Sequence, residues 1–334
     1  MIWTHLGAAL GMLAVPLLAL TGHLTLPLLA VALFAVGVLS VFSAAAEQSI
    51  IPDLVPRPLL VTANARFGQS GTVAQTSGPA VGGALVSWIS APATLLIAAL
   101  SHLAAALLMT TVQVQERRTD GPAGSRVLRS IGQGLAFVYR HRTLAPLGIS
   151  THIWFIANSA AMTVFALYAL RELGLSPVLY GVMLACVGVG VGGLLGAFCA
   201  PAAVRRLGEG RTILIGKTIT PLAWIGVALV PHAEPWAVVC LAGAKMLYGF
   251  SIGFEDPAEL GYRQAVTAPS MLGRLNATMR SANRTMAVVG SLLGGVLAGL
   301  LGYRVTIWWM ILIFAVAVVV VLATPLRTAR APQD

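Results

Sequence analysis

Ten apolar runs, each near or above the roughly 20 residues a helix needs to cross a hydrocarbon core of about 30 Å, dominate this sequence. They lie at about 3–22, 26–51, 66–90, 91–114, 143–170, 178–202, 211–231, 235–256, 277–302 and 303–326. In lipid every backbone N–H and C=O must be satisfied within its own segment, so runs of this length predict an all-α, polytopic membrane helix bundle. Only 10% of the residues are charged and 57% are hydrophobic, against about 25% charged in soluble domains, which excludes a soluble fold. The net charge of +10 does not point to nucleic acid, because the basic residues occupy short gaps between apolar runs and form no continuous patch. The first run begins at Met1 with no basic leader and no small-residue cleavage site, so it reads as a spanning helix and not as a signal peptide. Cys186, Cys199 and Cys240 stand singly inside apolar runs, without the spacing of a disulfide framework or a zinc site, and no metal or cofactor is expected.

The basic residues set the expected orientation. With both termini in the cytoplasm, only Arg171 and Arg304 fall on the outer side, Lys217 and Lys245 lie inside helices, and the rest of the 21 lysines and arginines face the cytoplasm. The expected location is the cell membrane. The longest polar interval, residues 115–142, contains the break Gly121-Pro122-Ala123-Gly124 and divides the chain into an N-terminal half (1–114), a cytoplasmic linker (115–142) and a C-terminal half (143–334). The end of the linker is amphipathic, with Val127, Ile131, Leu135 and Val138 on one face and Arg126, Arg129, Gln133 and Arg140 on another, a pattern suited to the anionic inner leaflet.

The chain also repeats itself at a constant offset. Ala46-Glu47, Leu60, Asn64-Ala65, Gly78, Gly82-Gly83 and Leu85 return 212 positions later as Ala258-Glu259, Leu272, Asn276-Ala277, Gly290, Gly294-Gly295 and Leu297. The matches fall on residue types that set backbone geometry: glycines for close approach, an Asn-Ala pair at a helix entrance, a carboxylate in a loop. Two related halves are the physical reading. Within the first copy, Gly78-Pro79-Ala80-Val81-Gly82-Gly83 places a helix-kinking proline among glycines that let a neighbouring backbone approach, which predicts a hinge or a tight packing seam.

This stretch resembles the Gly-Pro-x-x-Gly-Gly antiporter motif of exporters of the major facilitator superfamily. Ile51-Pro52-Asp53-Leu54-Val55-Pro56 followed by Asn64-Ala65, Gly134-Leu135-Ala136-Phe137-Val138-Tyr139-Arg140-His141, and Met271-Leu272-Gly273-Arg274-Leu275-Asn276-Ala277 resemble loops of its drug and siderophore exporter branch, which includes macrolide efflux proteins and the enterobactin exporter. Arg205-Arg206-Leu207-Gly208-Glu209-Gly210-Arg211 is similar to the superfamily's basic cytoplasmic loop, with arginine in the usual acidic place. The resemblance implies a twelve-helix fold of which this chain carries ten, the first two helices lacking. The repeat offset says the same, since it leaves the runs at 143–202 without partners.

Other patterns carry less. Gly216-Lys217-Thr218 is not a phosphate-binding loop, because the preceding glycine is misplaced and an apolar helix continues from it. Gly188, Gly192 and Gly196, at steps of four, read as a helix packing face. There is no HExxH, no GxSxG and no paired carboxylates within a helix, so an enzyme is not expected. If the implied architecture holds, the run at 143–170 turns His152, Phe155, Ser159 and Met162 toward a central cavity with Trp154 and Asn158 beside them, a wall suited to a hydrophobic or cationic substrate. Lys245, in mid-helix with Tyr248 on its face, is costly in a membrane and points to a role in that cavity. Glu47 and Glu259 are expected in gating ion pairs with Arg66, Arg263 or Arg274, and His102 in a structural helix contact. The function expected from the resemblance is proton-coupled efflux of a small drug-like or siderophore-like molecule by a monomer in the lipid bilayer. A truncated, inactive transporter or a non-transporting membrane subunit is the alternative.

Overall fold

The computed structural model describes residues 1–111, 127–175, 180, 190–230 and 236–332. All of the regular structure among them is helical: α1 (Ile2–Leu20), α2 (Leu26–Leu54), α3 (Leu60–Ile89), α4 (Ala91–Thr111), α5 (Val127–Arg140), α6 (Leu144–Leu167), α7 (Gly193–Leu207), α8 (Glu209–Ala228), α9 (Ala237–Ala265), α10 (Pro269–Leu301) and α11 (Tyr303–Leu322). Seven of the described helical stretches are long and apolar enough to cross a membrane, lying in α1, α2, α4, α6, α9, α10 and α11. The protein is therefore a polytopic membrane protein. The first part of the run expected at 178–202, through residue 189, falls largely outside the described residues, as do Gly188, Cys186 and the Gly121–Gly124 break.

Two expectations about the repeat are corrected. Glu47 and Glu259 do not lie in loops, because α2 and α9 continue through them, and the stretch at 271–277 belongs to α10, which starts at Pro269. The reason is local: Ala268 is extended and Pro269 stands at the first helical position, where its missing N–H costs nothing and its φ suits a helix.

The chain forms two units. The first comprises Met1–Leu54 and Ser77–Gly121. Small residues bring its helices together: Ala8 and Ala9 on α1 and Ala99 and Ala106 on α4 are buried, and Gly7 and Gly11 pack under Leu39 and Val36 of α2. His102 meets His5 there, Nδ1 to Nδ1 at 3.3 Å.

The second unit comprises Val55–Thr76 and Pro122–Asp334, so the first turns of α3 and the linker helix α5 pack with the later helices. Here too glycine decides how closely helices pass. A Cβ on Gly192 or Gly196 would strike the backbone of α9 at Met246, Phe250 and Phe254, and one on Gly253 would strike Gly193. Gly290 and Gly294 of α10 lie in the same way against Ile156 and Ala160 of α6. The tight turns α7–α8 and α10–α11 each pivot on a glycine at positive φ, Gly208 and Gly302, a conformation that costs other residues 1–2 kcal/mol or so. In the linker helix, Val138 is fully buried among Leu144, Leu147 and Met279, while Leu135 of the same expected apolar face stays exposed.

Candidate functional site

Helix α9 carries the chemistry of the second unit, and its residues divide into two groups along the helix. Toward the Ala237 end, Lys245 is 1% exposed. Its Nζ lies over three rings: Tyr248 at 4.3 Å, Phe165 at 4.4 Å and Trp224 at 4.6 Å from the centroids. The thioether of Met162 stands 3.9 Å away. The rings come from α6, α8 and α9, so the box exists only because three helices converge. Trp224 is further held edge-on to Phe165 and Tyr248 and stacked on Phe314 of α11. Tyr248 donates its hydroxyl to Oδ1 of Asn158 at 2.6 Å, which fixes the fourth side.

Energetics explain how a lysine survives here without a carboxylate. Placing a lysine at the centre of a membrane helix costs about 2.5–3.5 kcal/mol or more. A desolvated cation–π contact returns about 2 kcal/mol, so three rings can offset the cost. Hydrogen bonding is less complete. The only acceptor near the ammonium among the described residues is the weak Met162 sulfur, and Trp224 Nε1 is a buried donor with no partner. The box is thus rich in donors and poor in acceptors.

Of the residues expected around the substrate cavity, Asn158, Met162, Lys245 and Tyr248 meet in this one cluster. The expectation that Lys245 points into an open cavity is corrected: it is enclosed, because the rings solvate it in place of water. His152 and Phe155 are elsewhere. His152 donates from Nδ1 to Asn283 Oδ1 of α10 at 2.7 Å, and its Nε2 meets the Tyr139 hydroxyl of α5 at 2.6 Å, which ties the linker helix to the bundle. Phe155 stacks edge-on to Trp154.

Toward the Arg263 end, a buried polar chain crosses four helices. Lys217 of α8 pairs with Glu255 of α9 at 2.5 Å, Lys217 also reaches Thr151 of α6, Thr151 donates to Glu259, and Glu259 pairs with Arg263 at 3.1 Å. Arg263 in turn donates to Asn276 of α10 at 3.1 Å. Sequence reasoning expected Arg263 among the partners of Glu259 but missed Glu255 and Lys217. The statement that no helix pairs carboxylates is corrected, since Glu255 and Glu259 stand one turn apart on α9; their i, i+4 spacing was the available signal. Among the described residues Arg274 joins no ion pair, and its Nη1 donates to Gln133 of α5 at 2.9 Å. Glu47 has no ion-pair partner among the described residues. The two asparagines of the repeat converge on one turn of α9, Asn276 on Arg263 and Asn64 on Gln264 at 2.7 Å.

The glycines divide unevenly. Nothing among the described residues stands within 4 Å of a Cβ built on Gly78 or Gly82, whereas their repeat mates Gly290 and Gly294 form a tight seam with α6. The surroundings of Pro79 and Gly83 lie outside the described residues. Among the described residues no group of three or more His, Cys, Asp or Glu side chains could hold a metal ion.

Comparison with known proteins sets these features in a family. Residues 1–333 match the family described as transmembrane secretion effectors, a family of major facilitator transporters. The chain belongs to the major facilitator superfamily. An uncharacterized transporter of this superfamily, y4rN of Sinorhizobium fredii, is 29% identical over 257 residues, which is 75% of this chain and 60% of that protein. The chain thus spans 60% of the length of that curated relative. Among solved structures, the human organic anion transporter MFSD10 superposes with a TM-score of 0.78 at 16% identity, over 95% of this chain and 76% of that one. A bacterial homologue of the iron transporter ferroportin in an outward-facing state gives 0.69 at 18% identity, over 96% and 81%. The Escherichia coli fucose:proton symporter FucP gives 0.70 at 15%, over 96% and 82%. At these identities the solved structures establish the major facilitator fold alone. The family and its relatives are transporters, and no enzymatic family is indicated.

Proposed function

We propose that this major facilitator protein is a secondary active exporter of a hydrophobic drug-like or siderophore-like small molecule, working by alternating access and driven by the proton gradient. The observation that carries the reading is the Lys245 box. One cluster holds a buried ammonium whose acceptor among the described residues is the weak Met162 sulfur and a Trp224 indole N–H with no partner among them, which suits a ligand with apolar bulk and an acceptor oxygen. Because the box is closed by helices of one half, substrate reaches it only when α6, α8 and α9 move apart as well as when the two halves rock. Proton coupling finds support in the fold shared with a fucose:proton symporter and in the ionisable chain on α9. The exporter acts as a monomer with ten spanning helices in the cell membrane, both termini in the cytoplasm, on the distribution of basic residues.

The test is flux in proteoliposomes. Purified protein should accumulate erythromycin or ethidium against its gradient when a pH gradient is imposed, and the accumulation should collapse with an uncoupler. Absence of gradient-dependent flux for these probes and for a catecholate siderophore would favour the alternative, a non-transporting membrane subunit.

A further inference from the structure

The polar chain at the Arg263 end of α9 lies apart from the Lys245 box: Glu255 is ten residues from Lys245, about 15 Å along the helix axis. It is built with two cations and two carboxylates. Lys217 and Glu255 are 1% and 7% exposed, Arg263 and Glu259 7% and 8%. The pairing depends on Gly216. A Cβ there would stand 2.6 Å from the Glu255 Cβ and 3.3 Å from its Oε2, so the missing side chain is the space in which the carboxylate sits. The Gly216-Lys217 pair that resembles a phosphate loop in sequence is in fact a shelf and a counter-ion for one glutamate.

The two carboxylates are held differently. Glu259 is anchored by the guanidinium of Arg263, which does not deprotonate, and by the hydroxyl of Thr151. Glu255 has Lys217, and Lys217 already reaches the Thr151 hydroxyl that leads to Glu259. A neutralised Glu255 therefore leaves no stranded cation, because Lys217 has a second carboxylate within a short swing. A neutralised Glu259 would instead strand Arg263, at the cost of several kcal/mol that a broken buried pair carries. The other groups facing the cluster are His152 of α6, Asp256 of α9, exposed on the same helix, and Asn276 of α10.

We infer that Glu255 is the proton-binding group of the transport cycle: a proton from one side joins its carboxylate, Lys217 moves to the Thr151–Glu259 end, and the tie between α8 and α9 loosens until the proton leaves on the other side. Only an O–H bond forms and breaks. This rests on the proton-coupled reading above, and it assigns that coupling to a residue.

The experiment separates the two. Infrared difference spectra of the full chain in nanodiscs, recorded across a pH titration, should show a protonated-carboxyl C=O band that is retained in Glu259→Gln and absent in Glu255→Gln. A double variant, Lys217→Met with Glu255→Gln, removes both members of the pair and should also lack the band. In proteoliposomes Glu255→Gln should lose ethidium accumulation driven by a pH gradient while keeping ethidium exchange between the two sides. A titrating band that survives Glu255→Gln, no titrating band in the wild type, or gradient-driven accumulation by Glu255→Gln overturns the assignment. If the wild type moves no ethidium in either mode, the transport reading fails for that probe, and the infrared result alone still decides whether Glu255 binds the proton.

Discussion

Replacing Gly294 by alanine should open the α6–α10 seam. The added Cβ would lie 2.7 Å from both Cα and O of Ala160 and 3.0 Å from its Cβ. Carbon atoms rest at about 3.5–4.0 Å, so the two helices must part by roughly 1 Å, and a gap of that size forfeits about a quarter to a half of the attraction between the atoms that lose contact. Overpacking of this kind costs about 1–3 kcal/mol. The gain in helix propensity, about 0.5–1 kcal/mol, offsets part of it. The net loss is about 1–2 kcal/mol, or a fall in thermal midpoint of roughly 2–4 °C per kcal/mol for a unit of this size. The repeat mate provides the control. Gly82→Ala meets nothing within 4 Å among the described residues, so the propensity gain should dominate and the midpoint should hold or rise. Thermal unfolding in nanodiscs, followed by tryptophan fluorescence, measures both. A Gly294→Ala protein as stable as the wild type, or a Gly82→Ala protein less stable than Gly294→Ala, would refute the argument that close backbone approach at Gly294 sets the cost.

Lys245→Met should leave membrane insertion intact, because it removes a charge costing about 2.5–3.5 kcal/mol from a box of rings, and should abolish or redirect transport; unaltered efflux in the proteoliposome assay counts against a substrate role for the ammonium. Lys217→Met alone should destabilise the protein by about 3–5 kcal/mol by stranding Glu255, while Lys217→Met combined with Glu255→Met should recover most of that loss, as read from the thermal midpoints of the three proteins. Tyr139→Phe removes the hydroxyl 2.6 Å from His152 Nε2 and should weaken the docking of α5 by about 1–3 kcal/mol, seen as faster proteolytic release of that helix; unchanged protection would show that Val138 alone holds it.

Membrane class and helical architecture were legible in the chain itself, because they follow from run length and charge scarcity, and each of these is a property of consecutive residues. So was the special standing of Lys245, since an ionisable group in mid-helix is conspicuous without any neighbour being known. What surrounds it was not legible. Phe165 lies 80 positions and Trp224 some 20 positions away in sequence, and only the convergence of α6, α8 and α9 makes their rings a solvent for the ammonium. The same limit applies to Glu255 and Lys217. Their partnership depends on how closely α8 passes α9, which Gly216 sets, and a glycine carries no mark of what fills its empty side. Nor does a glycine show which backbone it meets: Gly290 and Gly294 form a close seam because Ile156 and Ala160 stand opposite them. Segment identity is thus written in local composition, whereas the pairing of buried charges is decided by which helix faces come within side-chain reach.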